Sequence, residues 1–163
     1  MLLLNKTGLQ ALKGIPLLAL ITSCCSAGFL LFGYDQGVMS GVLISKFFLN
    51  TMGNPSTLML GTITALYDVG AAAGAIAAAF SSEPIGRKAT LMLGAFILMV
   101  GTIIMGTSNE RIQFMVGRIV TGVGIGYITS VCAVYQSEIS SQVARGWNVC
   151  VQLTTMLGGL MFV

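Results

Sequence analysis

"GIPLLALITSCCSAGFLLFGYDQGVMSG" (residues 14–41) decides the fold. No charged residue occurs between 14 and 34. Then come Asp35 and Gln36, after which the chain turns apolar again through Val42, Leu43 and Ile44. About 20 apolar residues, at ~1.5 Å each, carry a helix across the hydrocarbon core of a bilayer. The same reading applies to four more charge-free runs, at 47–67, 89–109, 119–137 and 146–163. Of the 163 residues 55% are hydrophobic and only 8% charged, with a mean hydropathy of +0.91. A soluble domain carries about a quarter charged residues. This chain has too little polar surface to cover a water-facing globule and reads as an all-α integral membrane protein.

Five spans follow, at 17–41, 57–80, 89–107, 113–136 and 147–163, the fifth running off the end of the sequence. Polar breaks separate them: "NTMGNPST" (50–57), "SSEPIGRK" (81–88), "TSNER" (107–111) and "QSEISSQVARG" (136–146). The N-terminus and the 81–88 and 137–146 loops carry Lys6, Lys13, Arg87, Lys88 and Arg145, whereas the 46–56 and 107–112 loops carry only Lys46 and Arg111. By the positive-inside rule this bias puts the N-terminus in the cytoplasm. The sequon at Asn5 would then lie on the side where it is not used. Residues 14–31 are too long for a signal-peptide core and run into Asp35 without a clear cleavage site.

Several function classes drop out. The net charge of +3 is small and the basic residues are scattered, so nothing suggests a nucleic-acid surface. There is no His, and Cys24, Cys25, Cys132 and Cys150 all lie in apolar runs without metal-ligand spacing. Such cysteines behave as small hydrophobes, and no disulfide framework is implied. No metal or cofactor is called for. With no nucleophile–base pair, an enzyme is disfavoured. "TGVGIG" (121–126) is not a dinucleotide fingerprint, because its spacing is wrong and no strand precedes it. Gly122 and Gly126, like Gly70 and Gly74 in "GAAAGAIAAA" (70–79), are four apart, the spacing that lets helices approach closely in lipid.

The intramembrane charges carry the chemistry. With the N-terminus inside, Asp35 lies six residues short of the outer end of its span, and Arg118 five residues beyond the outer end of the fourth. Both therefore sit roughly 8–9 Å deep, at matching depth. Intramembrane charges face the bundle interior and pair, or they mark an ion or substrate path. One reading of the pair is a fixed salt bridge. The other is a carboxylate that exchanges a proton, since burial favours the neutral form of an acid and a nearby guanidinium favours the ionised one. Asp68 is a second acid near mid-depth, with no base to match it; a proton or substrate role is open to it.

"GFLLFGYDQGVMSG" (28–41), "GRIVTGVGIG" (117–126), "VYQSEIS" (134–140) followed by "RG" (145–146), and "VQL" (151–153) stand in the order and spacing of a known family. Together they resemble the sugar porter family of the major facilitator superfamily, most closely its fungal members, over about 28–152. The resemblance implies twelve spans in two six-helix halves, of which this chain would supply about five from the N-terminal half. It implies that Asp35 carries the coupling proton with Arg118 as its partner, that Gln152 and Phe32 contact the sugar, and that Glu83, Arg87, Glu138 and Arg145 belong to an inner-face salt-bridge network. An amide offers both donor and acceptor to hydroxyls, and an aromatic face suits sugar C–H surfaces. Read without the resemblance, Gln152 could equally bond helix to helix, and Phe32 could pack in the core or against lipid.

The chain departs from the family pattern in "AFSSEPIGRK" (79–88), where Glu83 stands for the usual Asp, and at Ala133, which replaces a Pro. It also stops within the fifth span. The expected function is transmembrane transport of a monosaccharide, by proton symport with alternating access, as part of a twelve-span parent in the plasma membrane. Its expected partners are a small-molecule sugar, the lipid bilayer and a missing C-terminal half, with the proton as coupling ion and no other cofactor. Glucose, another hexose, a pentose, a disaccharide or a quinate-like acid all fit. The alternative is a truncated membrane protein that does not transport, acting as a sensor or as a partner of a full-length transporter, or an inactive gene fragment.

Overall fold

The computed structural model describes residues 15–51, 53, 55–108, 110–140 and 142–162, and among these there is helix and no strand. The elements are α1 (Ile15–Ile44), α2 (Lys46–Thr51), α3 (Thr57–Ile85), α4 (Arg87–Gly106), α5 (Arg111–Ile139) and α6 (Gln142–Met161). Lys6, Lys13 and the Asn5 sequon lie outside the described residues.

A chain this apolar must satisfy its backbone within itself, and a helix does so residue by residue. At 20 residues, α4 is about as long as the hydrocarbon core is thick. The 29 residues of α3 and of α5 reach beyond it. In length and composition α1, α3, α4 and α5 are each fit to cross a membrane. The helix α6 is 20 residues long but includes Gln142, Arg145 and the buried amides Asn148 and Gln152, and it is not among those four.

The helices run further than the apolar stretches that announce them. α3 continues through Ser81, Glu83 and Pro84 and stops only at Gly86, whose φ of +88° few other residues adopt. The break expected over 81–88 is therefore a one-residue hinge. At its other end the Ser56 hydroxyl caps α3 by accepting from the Met59 N–H at 3.4 Å. The six-residue α2 falls where the sequence suggested only loop.

α5 is the hub of the bundle. It packs along α3 and α4 over most of their length and meets α1, while α6 lies along α1. Glycines set these approaches. A side chain on Gly74 would strike the Val123 carbonyl, one on Gly122 the Tyr67 carbonyl, and one on Gly126 the Ala71 carbonyl. Gly33 and Gly159 do the same between α1 and α6, against Met156 and Leu30. Outward-facing Leu58, Phe80, Met92, Phe96, Leu157 and Met161 are exposed, which suits lipid and would be a liability in water. Met39, Ile63 and Phe114 form an apolar cluster at the end of the bundle that carries α2.

Candidate functional site: a buried ion pair beside an aromatic stack

The site is built on α1, α3 and α5. Phe32, Asp35 and Gln36 are three and four apart on α1, and so share one face. On α5, Phe114, Gly117, Arg118, Thr121, Gly122 and Ile125 form the buried face, and on α3 Ile63, Tyr67, Gly70, Gly74 and Ala78 form its counterpart.

The structure brings Asp35 and Arg118 together across 83 residues of sequence, with Arg118 Nη1 donating to Asp35 Oδ2 at 3.1 Å. The two partners are unequally enclosed: the Arg118 side chain is 2% exposed, that of Asp35 23%. The guanidinium carbon lies 5.5 Å from the centroid of the Tyr67 ring and 5.8 Å from that of Phe114, within cation–π range. Phe32 is half-buried and stacks on Tyr67, with centroids 6.0 Å apart and planes 15° from parallel. The Tyr67 hydroxyl and Arg118 Nε are buried without a hydrogen-bond partner. Asp68 is exposed and accepts from Gln36 Nε2 at 3.4 Å, a contact that leaves its charge unneutralised.

A second polar cluster joins α1, α5 and α6. Gln152 is buried and donates to Gln136 Oε1, while Gln136 Nε2 donates to Thr22 Oγ1 at 3.4 Å. Asn148 donates to Ser140 Oγ at 2.5 Å. Beside them lies a cavity of about 50 Å³ lined by Ala133, Gln136, Ser137, Asn148, Val149 and Gln152. Small-molecule sites occupy about 300–1,000 Å³, so this cavity alone is too small for a sugar.

A third cluster sits at the Gly86 end of the bundle. Arg87 donates through Nη2 to Glu138 at 2.5 Å and through Nη1 to Ser82 at 2.7 Å, bonding the start of α4 to the ends of α5 and α3. Glu83 lies nearby in sequence, exposed in the last turns of α3. Arg145 is on α6, but its side chain lies outside the described residues. Among the described residues no group of His, Cys, Asp or Glu could hold a metal ion. Cys24, Cys25, Cys132 and Cys150 are free thiols.

A family model described as "Sugar (and other) transporter" matches residues 20–163. The chain belongs to that family. It is 38% identical over 146 residues to the MFS-type transporter oryC of Aspergillus oryzae, covering 88% of this chain and 27% of that protein. It is 34% identical over 171 residues to the sugar transporter STL1 of Saccharomyces cerevisiae, covering 97% of this chain and 30% of that protein. With the high-affinity glucose transporter 1 of Candida albicans it shares 33% identity over 140 residues, covering 86% of this chain and 26% of that protein. The chain thus spans between a quarter and a third of the length of these curated relatives. Its helices are those of part of the N-terminal six-helix half of a major facilitator fold.

Tyr67, Phe114, Gln136 and Thr22 are among the site residues that sequence reasoning missed. Tyr67 stands next to Asp68 and carries no charge to mark it. Gln136 stands at the seam between an apolar run and a polar one. Its one available signal was a second amide, Gln152, across the turn that follows.

Proposed function

We propose that this chain is the N-terminal part of a twelve-span monosaccharide transporter that moves sugar together with protons by alternating access. The observation that carries the reading is the Asp35–Arg118 pair. It is an ion pair inside membrane-spanning helices, in a chain of the sugar transporter family, with the acid on the more accessible side. Charges at such depth are costly unless paired or used.

In this reading Asp35 is ionised and held by Arg118 until a proton arrives. Protonation cancels the attraction, the guanidinium turns to its aromatic neighbours Tyr67 and Phe114, and α1 is freed to move relative to α5. Sugar binds between this segment and the C-terminal half. Phe32 packs against its C–H face, and Gln152 exchanges its bond with Gln136 for hydroxyls of the sugar. Glu83, Arg87, Glu138 and Arg145 act at the inner face, where ion pairs between helix ends hold the outward-open state and part as the halves rock. The names of the relatives, a sugar transporter and a glucose transporter, favour a sugar over a quinate-like acid. The N-terminus is cytoplasmic and the membrane is the plasma membrane.

Asp35→Asn in a full-length transporter carrying this segment tests the coupling. Loss of uphill accumulation with sugar exchange intact supports it. Unchanged uphill uptake removes Asp35 from the proton path. Full-length transcript that continues past Val163 for some 300 residues with about seven further apolar spans supports the twelve-span parent. A stop codon there moves the non-transporting reading to first place.

A further inference from the structure

We propose that Tyr67 is a positioning residue that ties sugar contact at Phe32 to the state of the Asp35–Arg118 pair. The inference rests on the proton-coupled reading above and adds to it the part that links the two ligands. A symporter needs the sugar and proton sites to sense each other, and coupling between sites is reciprocal.

Tyr67 touches both sites. Its ring stacks on Phe32 at 6.0 Å, and the same ring carries the Arg118 guanidinium at 5.5 Å. It is 1% exposed, so it acts through its neighbours rather than on sugar directly. Its backbone carbonyl is wedged against Gly122 on α5, which fixes where the ring begins. Its hydroxyl lies near Asp35 but makes no hydrogen bond of ordinary geometry, so the packing of the ring is what sets its position. Asp35, Arg118 and Asp68 are the charged groups that face that hydroxyl. Phe114 also contacts the guanidinium, but it belongs to the apolar cluster with Met39 and Ile63 and serves as the fixed wall.

Close-packed rings do not absorb a displacement; they pass it on. Sugar pressed against Phe32 moves that ring, Tyr67 follows, and the guanidinium shifts relative to Asp35. In a low-dielectric interior the attraction between the two charges changes steeply with small displacements. The ring carries the effect and the hydroxyl is dispensable.

The test uses a full-length transporter carrying this segment, in proteoliposomes, with whichever of radiolabelled glucose, xylose or maltose the wild type exchanges. Tyr67→Phe and Tyr67→Leu are compared for accumulation under an imposed proton gradient and for counterflow exchange without one. Tyr67→Phe is expected to behave like wild type in both. Tyr67→Leu is expected to keep exchange and to lose accumulation by about tenfold, the scale of ordinary coupling between sites. A Tyr67→Leu protein that loses both activities by the same factor has only been destabilised, and the proposal falls. It falls too if Tyr67→Phe uncouples as badly as Tyr67→Leu, or if Tyr67→Leu stays fully coupled. Wild type that exchanges sugar but never accumulates it, or exchanges none of the three, overturns the proton-coupled sugar reading itself, and this inference with it.

Discussion

The unequal burial of Asp35 and Arg118 makes their two deletions unequal. Removing one member of a buried pair costs about 3–5 kcal/mol, because the charge left behind has no partner. Asp35→Asn leaves a guanidinium that is 2% exposed, whereas Arg118→Met leaves a carboxylate that is 23% exposed and can be partly solvated. The rings of Tyr67 and Phe114 offset only part of the cost for the guanidinium. Thermal midpoints of the purified variants in detergent should therefore fall further for Asp35→Asn than for Arg118→Met; the reverse order would contradict the burial argument. This pair was legible in the sequence, since two opposite charges in apolar runs at matching depth have few other ways to be tolerated. Tyr67 and Gln136 were not legible. An amide or a tyrosine hydroxyl in a membrane helix costs less than a charge and can be met by many neighbours, so its presence points to no particular partner. Asp68 falls between the two cases: its charge marked it out, but its neighbour is the amide of Gln36, and the sequence offered no base to match it.

At the scale of helices, glycine separates two roles that look alike in the sequence. Gly126 on α5 faces the Ala71 carbonyl of α3, and an added methyl group would have to push two backbones apart. Gly61 on α3 has nothing within 4 Å of where a methyl group would sit. Gly126→Ala should cost about 1–3 kcal/mol, as overpacking does. Gly61→Ala should be neutral, or stabilising by roughly 0.5–1 kcal/mol, because it replaces a helix glycine with nothing in its way. Equal unfolding curves for the two variants would mean that the α3–α5 contact is loose enough to admit a methyl group between Gly126 and the Ala71 carbonyl. The existence and order of the long helices were legible because charge-free runs of this length have one structural solution in lipid. Their ends were less so. α3 passes through Ser81, Glu83 and Pro84, with the Ser81 hydroxyl donating back to the Ala77 carbonyl of the same helix, and it ends only at Gly86. α2 was missed because six residues are too few to show a period.

Across the whole molecule, the turns sort to two ends. Arg111 Nη2 donates to the Gly53 carbonyl at 3.0 Å, which puts the α4–α5 turn beside the loop that precedes α3. The Arg87–Glu138 pair puts the α3–α4 hinge beside the α5–α6 turn at the opposite end. Side-chain contacts of this kind fix which turns share a face of the membrane, but they carry no information on which face it is. Only the distribution of basic residues does that, and it favours a cytoplasmic Gly86 end. Single cysteines at Ile85 and at Glu110 convert the distinction into a measurement, since Ile85 closes α3 and Glu110 precedes α5 and both are exposed. On intact cells a membrane-impermeant maleimide should label Glu110→Cys and leave Ile85→Cys untouched, and permeabilisation should expose the latter. The native Cys24 and Cys150 lie within helices, and the unsubstituted protein sets the background. Labelling of Ile85→Cys alone on intact cells would invert the molecule. The Arg87–Glu138 pair would then face outward, and the acid of the ion pair would be reached from the cytoplasmic side. Labelling of both on intact cells would break the alternation of turns itself.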